Sequence, residues 1–245
     1  MRNSHILANK HRPIEDIFRR KGHAVISHNR STTLPEGNPG CNSSGIILGI
    51  SRDIPGGLSN ICKDTNGRAI AASIPFSDAS TIRVVAIYGP TAAMTRRFPH
   101  TPHGTREERD LVAFITTEYE SALQAEIPLL VMGDFNSFSS LTLDRTGGEF
   151  YLRPGCVSAS MLALGGIDTF RYRHPTLRGY SYIHNNGTAT RLDQIWLFPT
   201  IDHPLDILNA ALVNDARHKR DHLLPLLDIG ASIPTIILPS SPSPG

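Results

Sequence analysis

Ile127-Pro-Leu-Leu-Val-Met-Gly-Asp-Phe-Asn136 decides how the rest of the chain is read. Leu129 to Met132 is a short apolar run, the pattern of a buried strand. It ends at Gly133-Asp134. Asp134 and Asn136 lie two apart, so on an extended backbone both project to the same side of the strand mouth. A carboxylate and a carboxamide placed there suit a hard cation and a phosphate. The Asp holds charge, and the Asn donates and accepts hydrogen bonds without adding more. Read alone, Gly, Asp and Asn are also ordinary turn formers; the surrounding sequence has to decide.

Immediately upstream, Thr105-Arg-Glu-Glu108 is a candidate capping box. Leu111, Phe114, Ile115, Tyr119 and Leu123 follow at helical spacing. Before that helix comes Ile82-Arg-Val-Val-Ala-Ile-Tyr88, a β-branched run stopped by Gly89-Pro90. Asn66-Gly67 signals a hairpin joining Leu58–Lys63 to Arg68–Ile74. Nearer the start, a short helix opens at Pro13 and stops at Gly22, with strands at His23–Ser27 and Gly45–Ser51. Downstream, a loop runs to about Gly155 and a short helix covers Ser158 to Leu164. A second hairpin, turned at Asn186-Gly187, has arms Tyr180–Ile183 and Ala189–Leu197. Ile207–Val213 and Leu223–Ile229 read as the last strands. Many short strands with at least two hairpins and few helices favour a sheet-on-sheet sandwich with helices outside.

The 245 residues suffice for one large domain. With 24 Lys+Arg against 22 Asp+Glu, no global basic field announces a polyanion, so such a partner needs a local patch. Three scattered cysteines suggest neither zinc nor a disulfide framework. No apolar run reaches membrane-spanning length, and Met1-Arg-Asn-Ser-His5 lacks the apolar core of a secretory signal. The expectation is an intracellular monomer, nuclear or cytoplasmic and not secreted. Residues 1–230 form the domain, and the Pro/Ser-rich stretch 231–245 is expected to be a disordered tail.

Three further places carry chemistry. In Arg191-Leu-Asp193-Gln-Ile-Trp196 a carboxylate interrupts an apolar strand. A buried Asp is costly unless hydrogen-bonded, and a histidine is its natural partner, though Arg191 could also pair with it. Asp221-His222 supplies such a histidine and another acid. Tyr88 offers a phenol at a strand end.

In order, Gly45-Ile-Ile-Leu48, Tyr88-Gly-Pro90, Gly133-Asp-Phe-Asn136, Asp168-Thr-Phe-Arg171 with His174-Pro175, Arg191-Leu-Asp193 and Asp221-His222-Leu-Leu-Pro225 make a set. This set resembles the endonuclease/exonuclease/phosphatase superfamily over residues 5 to 229. Its members include DNase I-like nucleases, abasic-site endonucleases and the endonuclease domains of non-LTR retroelements. The resemblance implies a four-layered α/β sandwich of two packed mixed β-sheets flanked by helices. It implies attack of water on a phosphodiester with Mg²⁺ (or Mn²⁺), on DNA, with RNA as an alternative. His222 would be the general base or would stabilise charge on the attacked phosphate, with Asp193 orienting it. Asp134 would position or deprotonate the water, Asn136 would bind phosphate or lie near the metal, and Tyr88 would support the phosphate. Asp134, Asn136 and Asp221 would hold the metal. Asn136, Arg171, His174 and Tyr182 would line the substrate. Arg96, Arg97, Arg173 and Arg178 join Arg171 as candidate phosphate contacts.

One part of the family pattern is missing. The family opens with an Asn-bearing strand and then a Gln-Glu-Thr-His-like segment whose Glu is the principal metal ligand. Here Asn3 stands in place of that Glu, and Glu15 falls on the predicted helix. The expectation is therefore a sandwich missing its first strand, with an open sheet edge or a gap in the core. The catalytic machinery would be partial, as in a truncated copy of a retroelement-type endonuclease. Two alternatives follow: a catalytically inactive nucleic-acid-binding or vestigial domain, and a phosphatase acting on a small substrate.

Overall fold

A computed structural model describes residues 15–29, 45–77, 80–90, 105–146, 156–185, 187–200, 205–213 and 222–231. Its centre is a six-stranded mixed sheet in the order β3-β4-β5-β6-β10-β7. The strands are β3 (Ser59–Lys63), β4 (Ala69–Ser77), β5 (Ser80–Tyr88), β6 (Leu129–Asp134), β7 (Ile167–Asp168) and β10 (Asp193–Phe198). The β5–β6 pair is parallel and the other neighbours are antiparallel. A parallel pair requires a crossover, and the capped helix supplies it. That helix, α2 (Arg106–Gln124), has the full reciprocal box between Thr105 and Glu108. A shorter helix at 15–20, α1, precedes it. Two more follow, α3 (Cys156–Ala163) and α4 (Thr169–Arg173).

The apolar run of β6 is explained by its two buried faces. Leu129 and Val131 point to one side, where Leu111 and Ile115 of α2 and Val157 and Met161 of α3 pack against Val85, Ile87 and Trp196. Leu130 points to the other, into a second core with Val84, Ala86, Ile195 and Leu197. Each such aliphatic side chain contributes about 1.5–3 kcal/mol of transfer free energy. The second core is closed by two antiparallel hairpins. One is β1 (His23–Asn29) with β2 (Gly45–Ser51), which sends in Ile46 and Leu48. The other is β11 (Leu205–Val213) with β12 (Leu224–Ala231), which sends in Ile207 and Ala210. Layers of helix, sheet and hairpin sheet make the expected α/β sandwich. Among the described residues no ladder joins the two hairpins. The Arg2-Asn-Ser-His5 segment and most of 231–245 lie outside the described residues.

One expected element is split. The sequence predicts a continuous arm from Ala189 to Leu197. Instead β9 (Ala189–Thr190) pairs with β8 (Tyr182–Ile183), and the chain leaves that ladder at Arg191 to enter the six-stranded sheet as β10. The break has a physical cause. The Arg191 guanidinium is drawn inward to Asp144 and Asp168. The hydroxyl of buried Ser181 accepts from both Leu192 N and Asp193 N, at 2.9 and 2.8 Å, in place of ladder carbonyls.

Candidate active site

Strand register assembles the site. Tyr88 is opposite Asp134 across the parallel pair, and Asp134 is opposite Asp193 across the antiparallel one. Residues in register present their side chains on the same face, so a phenol and two carboxylates line one end of the sheet. Two glycines make the turn there possible. Gly133 sits at φ +140°, and a Cβ on it would lie 2.0 Å from Ile87 O. A Cβ on Gly89 would lie 2.1 Å from Phe135 O, and Gly89 N donates to Asp134 O at 2.7 Å.

The strand ends at Asp134, so the extended i, i+2 geometry expected for Asp134 and Asn136 does not hold. Asn136 takes a left-handed φ of 47°, and its N–H donates to Asp134 Oδ1 at 2.8 Å. The turn and the site are thus the same structure: an Asx turn folds the carboxamide back towards the carboxylate. Asn136 Nδ2 then donates to Gly89 O at 2.8 Å, tying this turn to the end of β5. Beneath it lies the fully buried Arg68. Its guanidinium faces the Tyr88 ring at 5.7 Å, pairs with Glu107 at 2.9 Å and donates to the Tyr88 and Gly89 carbonyls.

His222 arrives from the second layer. A bridge pairs it with Tyr182, and Leu223 N donates to Ser181 O at 2.6 Å. His222 Nδ1 lies 2.8 Å from Asp193 Oδ2. The Asp193 side chain is 13% exposed and that of His222 is 30% exposed, so the pair is reachable yet partly dehydrated. Ligand atoms of Asp134, Asp193 and His222 lie within 4.8 Å of one another. The Tyr182 ring packs on His222 at 4.5 Å and on His184 at 4.4 Å.

The electrostatics follow from the crowding. Burial, then the neighbouring Asp193 charge, push the Asp134 carboxyl up to about 6, against the opposing pull of the Asn136 N–H and His222. Burial and Asp134 likewise raise the Tyr88 phenol, while a hydrogen bond to Asn136 and the Arg68 charge work the other way. Two carboxylates stand side by side, and among the described residues neither is paired with Lys or Arg. Hard oxygen donors bearing excess negative charge are the donor set of a divalent cation such as Mg²⁺, so the residues present fit one.

Other expected site residues are placed elsewhere. Arg171, expected against substrate, instead pairs with buried Asp144 and donates to the Leu143, His174 and Leu177 carbonyls. His174, also expected there, has Nε2 2.8 Å from Ala210 O and packs on Phe170, which fastens α4 to β11. Here a buried acid and backbone carbonyls occupy both side chains. Arg173 and Arg178 are exposed. Asp221, Arg96 and Arg97 lie outside the described residues. Two residues near Tyr182 that the sequence did not single out are His184, whose ring meets it at 4.4 Å, and Arg145, bridged to Thr190. His184 was findable, since it stands two residues after Tyr182 on one arm. Arg145 was not, because only tertiary pairing brings it to Thr190.

Comparison with solved structures shows the fold: the chain has a DNase I-like α/β-sandwich fold. An AP endonuclease from Archaeoglobus fulgidus superposes with a TM-score of 0.58 at 18% identity, over 89% of this chain and 83% of that one. A 3′ phosphatase, NExo, from Neisseria bound to a product DNA hairpin gives 0.57 at 16%, over 89% and 81%. The human Nocturnin catalytic domain with a bound sulfate anion gives 0.54 at 17%, over 89% and 75%. No family sequence model and no curated protein sequence matches the chain. Among the described residues no helix is long and apolar enough to cross a membrane.

Proposed function

We propose that the chain is a divalent-metal-dependent phosphodiester hydrolase acting on DNA, of the retroelement-derived endonuclease type. The observation that carries the reading is the Asp193–His222 pair at 2.8 Å, set within 4.8 Å of Asp134. Solved neighbours that include an AP endonuclease and a 3′ phosphatase with product DNA support the substrate class. The ordered set from Tyr88-Gly-Pro90 to Asp221-His222, in the style of non-LTR retroelement and abasic-site endonucleases, supports the endonuclease type.

Asp193 accepts from Nδ1–H of His222, which fixes the tautomer and leaves proton exchange with substrate to Nε2. His222 takes a proton from the attacking water as its oxygen bonds to phosphorus. The ester oxygen opposite departs, and Asp193 stabilises the imidazolium. The Tyr88 hydroxyl, beside the Asn136 carboxamide, donates to a phosphoryl oxygen, and Asn136 Nδ2, anchored on Gly89 O, turns its other N–H from Tyr88 to the phosphate when substrate binds. Asp134 with Asp193, joined by Asn136 and Asp221, would hold the cation. Bound there, a divalent ion neutralises charge developing on the phosphoryl group.

The test is nicking of supercoiled plasmid with Mg²⁺, with and without chelator, by the wild type and His222→Ala. Chelator-sensitive nicking lost in the variant supports the reading. Salt-dependent DNA binding with no cleavage by the wild type refutes it in favour of a binding domain. Turnover of a phosphomonoester with no action on DNA refutes it in favour of a phosphatase.

A further inference from the structure

Behind the turn that carries Asn136 lies a closed ring of buried hydrogen bonds. Successive residues of β10 face opposite sides, so Asp193 is aimed at the site and Gln194 into the core on the helix side, beside Trp196. Gln194 is 1% exposed. Its Nε2 donates to Ser137 O at 2.7 Å and, more weakly, to Arg191 O at 3.5 Å. Its Oε1 accepts from Trp196 Nε1 at 2.9 Å and from Ser158 Oγ at 3.3 Å. The orientation of the amide is fixed, because an indole can only donate and a carbonyl can only accept. Ser158 Oγ gives its own proton to that amide, so it accepts from Ser137 Oγ at 2.8 Å, and the ring closes. Ser158 lies in the first turn of α3, and Ser137 directly follows Asn136.

One acceptor would serve the indole. A buried amide with both ends engaged also fixes whatever it is bonded to. Asn136 sits at φ 47°, a left-handed conformation that a residue other than glycine keeps only where its surroundings impose it. On one side of it Phe135 N donates to Leu192 O at 2.9 Å, and on the other Ser137 O accepts from Gln194. Both anchors stand at the entry to β10. We propose that Gln194 is a positioning residue: through Ser137 it holds Asn136 in the conformation that aims the carboxamide at Gly89 O and at a bound phosphate. Ser158 steadies the amide from α3. The consequence for turnover rests on the hydrolase reading; the hold on the turn does not. Adjacent residues of one strand then orient the histidine, through Asp193, and the phosphate donor, through Gln194.

The experiment compares wild type, Gln194→Met, Asn136→Ala and the double variant. Methionine keeps the length of the side chain and removes both ends of the amide. The first readout is hydrogen exchange of backbone amides, followed by NMR in EDTA. The Asn136 N–H donates to Asp134 Oδ1. In Gln194→Met it should exchange about ten-fold faster, the scale of one net hydrogen bond, measured against the amides of buried Val85 and Ile115. The second readout is kcat/KM on a duplex oligonucleotide with Mg²⁺. Gln194→Met should lower it about ten-fold in the wild-type background and by less than about two-fold beside Asn136→Ala. Exchange at Asn136 that rises only in step with Val85 and Ile115 overturns the proposal. So does a turnover loss that persists undiminished beside Asn136→Ala. If the wild type hydrolyses nothing, the hydrolase reading fails by itself, and the exchange result alone decides this one. If Gln194→Met does not fold, Ser158→Ala must show the same selective exchange at Asn136, and its failure to do so overturns the clamp.

Discussion

Two clusters of the same residue types sit a few residues apart along the chain and do opposite work. One joins Asp144 and Asp168 to Arg171 and Arg191. Arg191 is within 2.8 Å of Asp144 and 2.5 Å of Asp168, and neither acid is left without a guanidinium. The other sets Asp134 beside Asp193 with His222 as the one described basic partner. The first is neutral, buried and saturated with hydrogen bonds. The second is partly exposed and carries surplus negative charge. Compensation marks the cluster that holds the fold; its absence marks the one available to a cation and a substrate.

The broadest break in that contrast is to disable each cluster and read both activity and stability. His222→Ala should lower the metal-dependent hydrolysis rate about 10²–10⁴-fold, the usual reach of a positioned acid–base group. Its urea midpoint should hardly move, because the ring is part-exposed. Arg191→Leu should do the reverse in kind. Removing the guanidinium leaves Asp168 without its cation and Asp144 with Arg171 alone, at a cost of about 3–5 kcal/mol in the urea-unfolding free energy. A wild-type-like unfolding curve for Arg191→Leu would erase the distinction.

The pH dependence sharpens the same contrast because the two acids are shifted in opposite directions. The folded Asp134 carboxyl, at about 6, lies above its ordinary 3.8. Its ionised form therefore penalises the fold. That penalty is complete above about pH 6 and vanishes below about pH 4. Asp134→Asn, in chelator at pH 7, should thus stabilise the protein by about 1–3 kcal/mol. The gain should disappear by pH 4 when unfolding curves are compared. For Asp144, burial would raise the carboxyl, but Arg191 and then Arg171 outweigh it and hold it below 3.8. Its contribution is present above the ordinary carboxylate range and is lost only as pH falls through the lowered value. Asp144→Asn should destabilise at pH 7, the opposite sign to Asp134→Asn.

How much of this was legible beforehand depends on how local the cause was. The capping box at Thr105–Glu108, the hairpin at Asn66-Gly67 and β6 itself are set by near neighbours, and all three stand where the sequence put them. So does the Asp193–His222 pairing, because a carboxylate in an apolar strand advertises its need for a partner. What the sequence did not show was which arginine belongs to which acid. Arg191, two residues from Asp193, goes instead to Asp144 and Asp168. Arg171 joins it at Asp144, and the arm through Ala189 breaks where Arg191 turns inward. Charge pairing across 20 or more residues is a tertiary outcome that neither periodicity nor turn chemistry encodes.

The smallest predicted effect tests the seam between the clusters. Arg191 belongs to one and Asp193 to the other, and buried Ser181 spans them by accepting from the N–H groups of Leu192 and Asp193. Ser181→Ala leaves those two donors without that acceptor, a loss of about 1–2 kcal/mol in the urea-unfolding free energy. Because Asp193 begins β10 at this point, its carboxylate should also loosen against His222. Activity should then fall by a few-fold, well short of the His222→Ala loss. A double-mutant cycle with Asp193→Asn separates the two consequences. If the Ser181→Ala activity loss persists undiminished in the Asp193→Asn background, the hydroxyl acts on the site by some route other than Asp193. If it vanishes there while the stability cost remains, Ser181 is the joint through which the saturated cluster holds the unsaturated one in place.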